Sequence, residues 1–132
     1  MEYSLIDGGH LLLYSSDAGA DRRFLRDVLG LQGVDAGGGW LIFALPPAEL
    51  AVHPSTDNFA QRHAGHQLLG AVLYFMCDDL RASIAALEAR GAPFTEIQEE
   101  DWGIRTTIRL PGGGEVGLFQ PTHPSPLQRS GS

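Results

Sequence analysis

Hydrophobic and polar positions along this chain repeat with two periods, one of strands and one of helices, and the two alternate. An apolar run of strand length lies in GHLLLYSS (9–16). Asp17 follows it as a helix cap, and Phe24, Leu25, Val28 and Leu29 recur at helical spacing, which predicts a helix over 18–29. Gly30 stands where such a helix ends in the left-handed conformation. Leu31–Ala36 and Trp40–Leu45 read as a strand pair joined by Gly37-Gly38-Gly39, and Pro46-Pro47 then breaks the chain. Glu49–Pro54 reads as a short strand, with Glu49, Ala51 and His53 on one face and Leu50 and Val52 on the other. Residues 55–69 are polar and irregular, with room for one turn of helix.

The pattern then starts again. Gly70–Cys77 reads as a strand, Asp78 and Asp79 precede a helix carrying Leu80, Ile84 and Leu87, and Gly91 ends it. Thr95–Glu99 is a weak strand. In Gly103–Leu110 the side chains of Ile104, Thr106, Ile108 and Leu110 face one way, and Gly112-Gly113-Gly114 turns the chain into Glu115–Gln120. Asp17 to Gly30 and Asp78 to Gly91 are both 13 residues, 61 residues apart. The repeat predicts an α+β fold of two βαβββ modules, whose curved mixed sheets meet about a pseudo-twofold axis and enclose one cleft. A single domain over 1–122 follows, with module one at about 5–55, a linker at 56–69, module two at about 70–121, and a flexible tail at 123–132.

Composition narrows the chemistry. The chain has 132 residues, 43% of them hydrophobic, enough for one core without staples. Cys77 is the single cysteine, so neither an intrachain disulfide nor a thiolate zinc cluster forms, and a reducing, cytoplasmic setting is expected. Apolar runs fall well short of the roughly 18 residues that span a bilayer, and MEYSLIDGGH is acidic where a signal peptide is basic. All nine basic residues are arginine, which excludes lysine Schiff bases and a P-loop lysine. A net charge of −7 argues against nucleic acid, and the one basic cluster, Arg22, Arg23 and Arg26, reads as a solvated helix face. The glycine runs lie between strands and are hairpin turns, not phosphate loops. Cys77, in an apolar strand, reads as an inert thiol.

The order and spacing of His10, Asp17 and Leu29-Gly30, then Asp78-Asp79-Leu80, LEARGAPF (87–94), Asp101-Trp102-Gly103 and LPGGGEVGLFQP (110–121) resemble the vicinal oxygen chelate superfamily: glyoxalase I, bleomycin-resistance proteins and extradiol dioxygenases. The resemblance spans residue 9 to about 122. It implies the same fold, a homodimer, and a divalent metal (Fe, Mn, Ni or Zn) held by side chains from four strands, binding two neighbouring oxygens of a substrate. The ligand positions fall on His10, His53, Val72 (Ala71 at an offset of one full repeat) and Gly117, so only two of four retain a donor. Glu115, two residues from Gly117, is a candidate third ligand, completing a two-histidine, one-carboxylate set.

Two functions follow from different classes. The first is a binder of a small, partly apolar molecule, lined by Trp40, Val72, Tyr74, Trp102, Gly117 and Phe119, with no tightly bound catalytic metal. The alternative is a metal-dependent lyase, isomerase or dioxygenase acting on adjacent oxygens. A metal-free enzyme with Glu49 or Glu115 as acid or base is a third. His63 and His66 have chelating spacing, but their polar surroundings favour a solvent-exposed loop.

Overall fold

The computed structural model describes residues 10–52, 54 and 60–127. Helix α1 runs from Ala18 to Asp27 and α2 from Leu80 to Glu88. Both start as the sequence predicts. The Asp17 carboxylate accepts from the Ala20 N–H and that of Asp79 from the Ala82 N–H, each at 3.1 Å, satisfying donors that the first turn leaves open. Both end on glycines of positive φ, +78° at Gly30 and +93° at Gly91.

Module two is complete. Strands β5 (Tyr74–Met76), β6 (Gln98–Glu100), β7 (Gly103–Arg109) and β8 (Glu115–Pro121) form one sheet in the order β5-β8-β7-β6, with β5 parallel to β8 and the other pairs antiparallel. Leu80, Ala92, Ile108, Leu110, Val116 and Leu118 build its core, with Phe75, Ile84 and Leu87 packed on them. Alternation therefore sends Ile104, Ile108, Val116 and Leu118 to the helical face. Tyr74, Arg105, Thr107, Arg109, Glu115, Gly117 and Phe119 go to the opposite face.

Module one contributes less regular structure. Its α1 packs Phe24, Val28 and Leu29 on the module-two core. The predicted strand pair is β1 (Gly33–Asp35) against β2 (Leu41–Phe43), antiparallel. The apolar run at 9–16 is not a strand where described. It finds no ladder partner, and Ser15 and Ser16 instead tie it to the β7–β8 turn. Ser16 Oγ donates to the Gly112 carbonyl at 2.7 Å, and Ser15 Oγ donates at 2.6 Å to Asp21, which in turn accepts from the Gly112 N–H at 2.7 Å. The described part of 49–54 also lacks a ladder, and Leu50 and Val52 stand 91% and 89% exposed. The seam is neither irregular nor helical where described. Strands β3 (Ala60–His63) and β4 (His66–Leu69) make a hairpin whose two turn residues, Ala64 and Gly65, both have positive φ, as a two-residue turn between twisted strands requires.

The tail is tied down as far as residue 127. Ser125 Oγ donates to Glu49 at 2.6 Å, and His123 Nε2 lies 3.3 Å from the other Glu49 oxygen. No helix among the described residues is long and apolar enough to cross a membrane.

Candidate functional site

The helix-free face of the sheet carries a cavity of about 290 Å³. Val72, Tyr74, Thr107, Glu115 and Gly117 line it from module two, and Leu13 lines it from module one. Cross-strand register explains the grouping: Tyr74 pairs with Gly117, and Gly117 with Thr107, so three neighbouring strands present these positions in one row. Val72 lines the cavity together with Ala71 and Leu73, from the segment just before β5 and outside the ladder.

Gly117 is the informative residue. A Cβ at this position would fall 2.1 Å from Cδ1 and 2.4 Å from Cε1 of Tyr74. The tyrosine ring lies across the strand where a side chain would emerge. Tyr74, Trp102 and Phe119 then stack edge to face, with centroids 5.3–6.1 Å apart and planes 80–85° to one another, a favourable arrangement for aromatic quadrupoles. His123 adds a fourth ring 6.0 Å from Phe119 and connects the cluster to Glu49.

Glu115 lines the cavity with both carboxylate oxygens engaged. Oε1 accepts from Thr107 Oγ1 at 3.1 Å and Oε2 from Arg109 Nη2 at 3.2 Å. Deeper along the same face, Arg105 donates to Glu100 at 2.9 Å and to Gln98 at 2.6 Å. Sequence inspection followed the apolar set of β7 and passed over Arg105, Thr107 and Arg109. The same alternation that buries Ile104 and Ile108 sends these three to the cleft face.

The remaining candidates lie elsewhere. Trp40, Trp102 and Phe119 are not among the residues lining this cavity; Trp102 and Phe119 pack against Tyr74, and Trp40 lies against Arg22 of α1, whose guanidinium carbon is 4.6 Å from the ring centroid. Glu49 gives both oxygens to the tail. His10 is exposed and His53 lies outside the described residues. His63 and His66 face each other at the tip of the β3–β4 hairpin, exposed, with the Tyr14 hydroxyl hydrogen-bonded to His63 Nδ1. Cys77 is half-buried against the core, as an inert thiol would be.

Of the donor set that the resemblance implies, His10 and Glu115 are described and His53 is not. Of the four positions that the resemblance marks as ligands, one is valine and one is glycine under an aromatic ring. Among the described residues no three His, Cys, Asp or Glu side chains gather as a metal would require.

A two-module frame with one cavity on the helix-free face of a mixed sheet defines a class of small cleft proteins. Within that class, residues 9–118 match the model of the Glyoxalase/Bleomycin resistance protein/Dioxygenase superfamily, and the chain belongs to that family. Solved structures share the fold. TnmS3, an antibiotic binding protein from Streptomyces sp. CB03234, is 22% identical with a TM-score of 0.60, covering 91% of this chain and 100% of that one. Lactoylglutathione lyase from Agrobacterium tumefaciens is 20% identical with a TM-score of 0.58, covering 89% and 96%. A superfamily member from Sphaerobacter thermophilus DSM 20745 is 19% identical with a TM-score of 0.56, covering 89% and 99%. No protein with a curated description matches the sequence.

Proposed function

We propose that this chain binds a small, partly apolar molecule on the helix-free face of its sheet, without a resident catalytic metal. The observation that carries this is the Tyr74 ring over Gly117. It replaces a ligand position with aromatic surface, and Val72 replaces another with an apolar side chain. Leu13, Val72 and Tyr74 supply apolar area, with Trp102 and Phe119 stacked behind the Tyr74 ring, while Thr107 and Glu115 supply the few placed polar groups such sites use. The fold likeness to an antibiotic binding protein is in keeping with this class of ligand. The second function, a metal-dependent lyase, isomerase or dioxygenase, has one feature in its favour: Glu115 on the cavity wall, beside the fourth ligand position. It requires Glu115 to release Arg109 and Thr107 and to be joined by His10 and His53.

We further propose a cytoplasmic homodimer. Leu50, Val52, Leu69 and Val72 are apolar and 84–91% exposed in one chain, and a second copy would cover such side chains.

Bleomycin serves as the test ligand. A Trp40→Phe variant leaves Trp102 as the single tryptophan, and its emission reports on the aromatic cluster. Saturable quenching, unchanged by EDTA and weakened about tenfold or more by Tyr74→Ala, is the expected result, since truncating a buried aromatic anchor costs on the order of 2 kcal/mol. Quenching that vanishes with EDTA and returns with Mn or Zn supports the metal-dependent enzyme instead.

A further inference from the structure

A second cavity of about 290 Å³ lies away from the sheet face, between α1 and the β1–β2 hairpin, and its chemistry is unlike the first. Arg22, Arg23 and Arg26 line it from the helix, with Asp35 and Leu41 from the hairpin. Positions i, i+1 and i+4 fall within about 100° of helix circumference, so the three guanidinium groups share one side. They are three of nine basic residues in a chain of net charge −7.

The three arginines are not equivalent. Arg26 is committed to its neighbour: Nε donates to Asp27 at 2.7 Å and Nη2 at 3.1 Å. That hydrogen bonding holds the Asp27 carboxyl below its ordinary value and pushes the Arg26 guanidinium up. Asp35 is turned to the glycine loop, accepting from the Gly37 N–H at 2.7 Å and from the Gly39 N–H at 3.2 Å. Arg22 rests over Trp40 and, among the described residues, neither it nor Arg23 donates to a carboxylate. Stacking on an indole occupies a face of the guanidinium and leaves the N–H edge free to donate in plane. Among the described residues, two forks that donate to no carboxylate, on a cavity wall shared with an Asp35 already turned to its loop, suit an oxyanion.

We propose that this cavity is an anion site for a phosphoryl group, free phosphate or a phosphate monoester, gripped by Arg22 and Arg23 with Trp40 positioning Arg22. It is independent of the cleft ligand. A Trp102→Phe variant leaves Trp40 as the single tryptophan and reporter. Inorganic phosphate, phenyl phosphate and acetate are titrated at fixed ionic strength, because exposed charges are screened by salt. Saturable change with both phosphates, and a much weaker one with acetate, is expected, since a phosphate dianion engages two forks and acetate one. Tighter binding of phenyl phosphate assigns an organic monoester, and equal binding assigns free phosphate. Arg22→Lys keeps the charge but loses the fork and should weaken binding severalfold. Arg22→Ala/Arg23→Ala should abolish it with the circular dichroism spectrum unchanged. Arginine Nε–Hε resonances of the unsubstituted protein should move with phosphate by the same isotherm. A linear response, an equal response to acetate, or an isotherm indifferent to both variants overturns the site.

Discussion

Gly117→Ala is expected to destabilise the folded chain by about 3 kcal/mol, the upper end of overpacking costs in a close-packed interior. The added methyl would meet the Tyr74 ring at roughly two-thirds of normal carbon–carbon contact, and the ring is held in turn by Trp102 and Phe119. In a Tyr74→Ala background the same substitution should cost less than about 1 kcal/mol, so the pair is non-additive, as touching residues are. Urea unfolding of the four proteins in this cycle measures it. Equal costs in both backgrounds would mean that the ring does not cover Gly117. A corollary is that a glutamate at 117 has no room until Tyr74 is removed.

Asp21→Ala is expected to cost a similar amount, about 2–4 kcal/mol, through loss of two hydrogen bonds to a charged group. Asp21 is 7% exposed, faces inward from α1, and accepts from Ser15 Oγ and from the Gly112 N–H. It joins the N-terminal segment, the first helix and the β7–β8 turn of the other module at one carboxylate. Removal strands the Gly112 N–H, whereas Asp21→Asn keeps one acceptor and should cost about half as much. Denaturation midpoints, with hydrogen exchange at the Gly112 amide, separate the two variants. A midpoint unmoved by Asp21→Ala would remove this stitch between modules from the account.

The parts of the fold legible in the sequence are those fixed by local chemistry. Asp17 and Asp79 cap their helices, Gly30 and Gly91 end them, and the alternation in β7 and β8 is that of a half-buried sheet. What sequence missed depends on partners far along the chain. Residues 10–16 and the described part of 49–54 have strand-like composition but pair with no strand among the described residues. A strand is made by its ladder, and propensity alone does not supply one. The β3–β4 hairpin hid behind a turn of histidines, alanine and a single glycine instead of an Asn-Gly signal.

The site divides in the same way. Strand parity places Tyr74, Glu115 and Gly117 on one face, and they line one cavity with Val72, whereas the predicted Trp40, Trp102 and Phe119 do not line it. The engagement of Glu115 by Arg109, of Glu49 by the tail, and of Trp40 by Arg22 required contacts across 6, 76 and 18 residues of chain, which no periodicity encodes. Across the parallel pair, Gly117 leaves the space that the Tyr74 ring fills.

The cleft is proposed to work by aromatic and polar contact and not through a resident ion. Metal content of protein purified without a metal-affinity tag, measured together with melting temperature in the presence of Mn, Fe, Ni or Zn, tests it most directly. The account predicts no stoichiometric ion and no rise in melting temperature, because a ligand stabilises only a fold that binds it. One ion per chain, with a melting temperature raised by that metal and returned to baseline by His10→Ala, would contradict it.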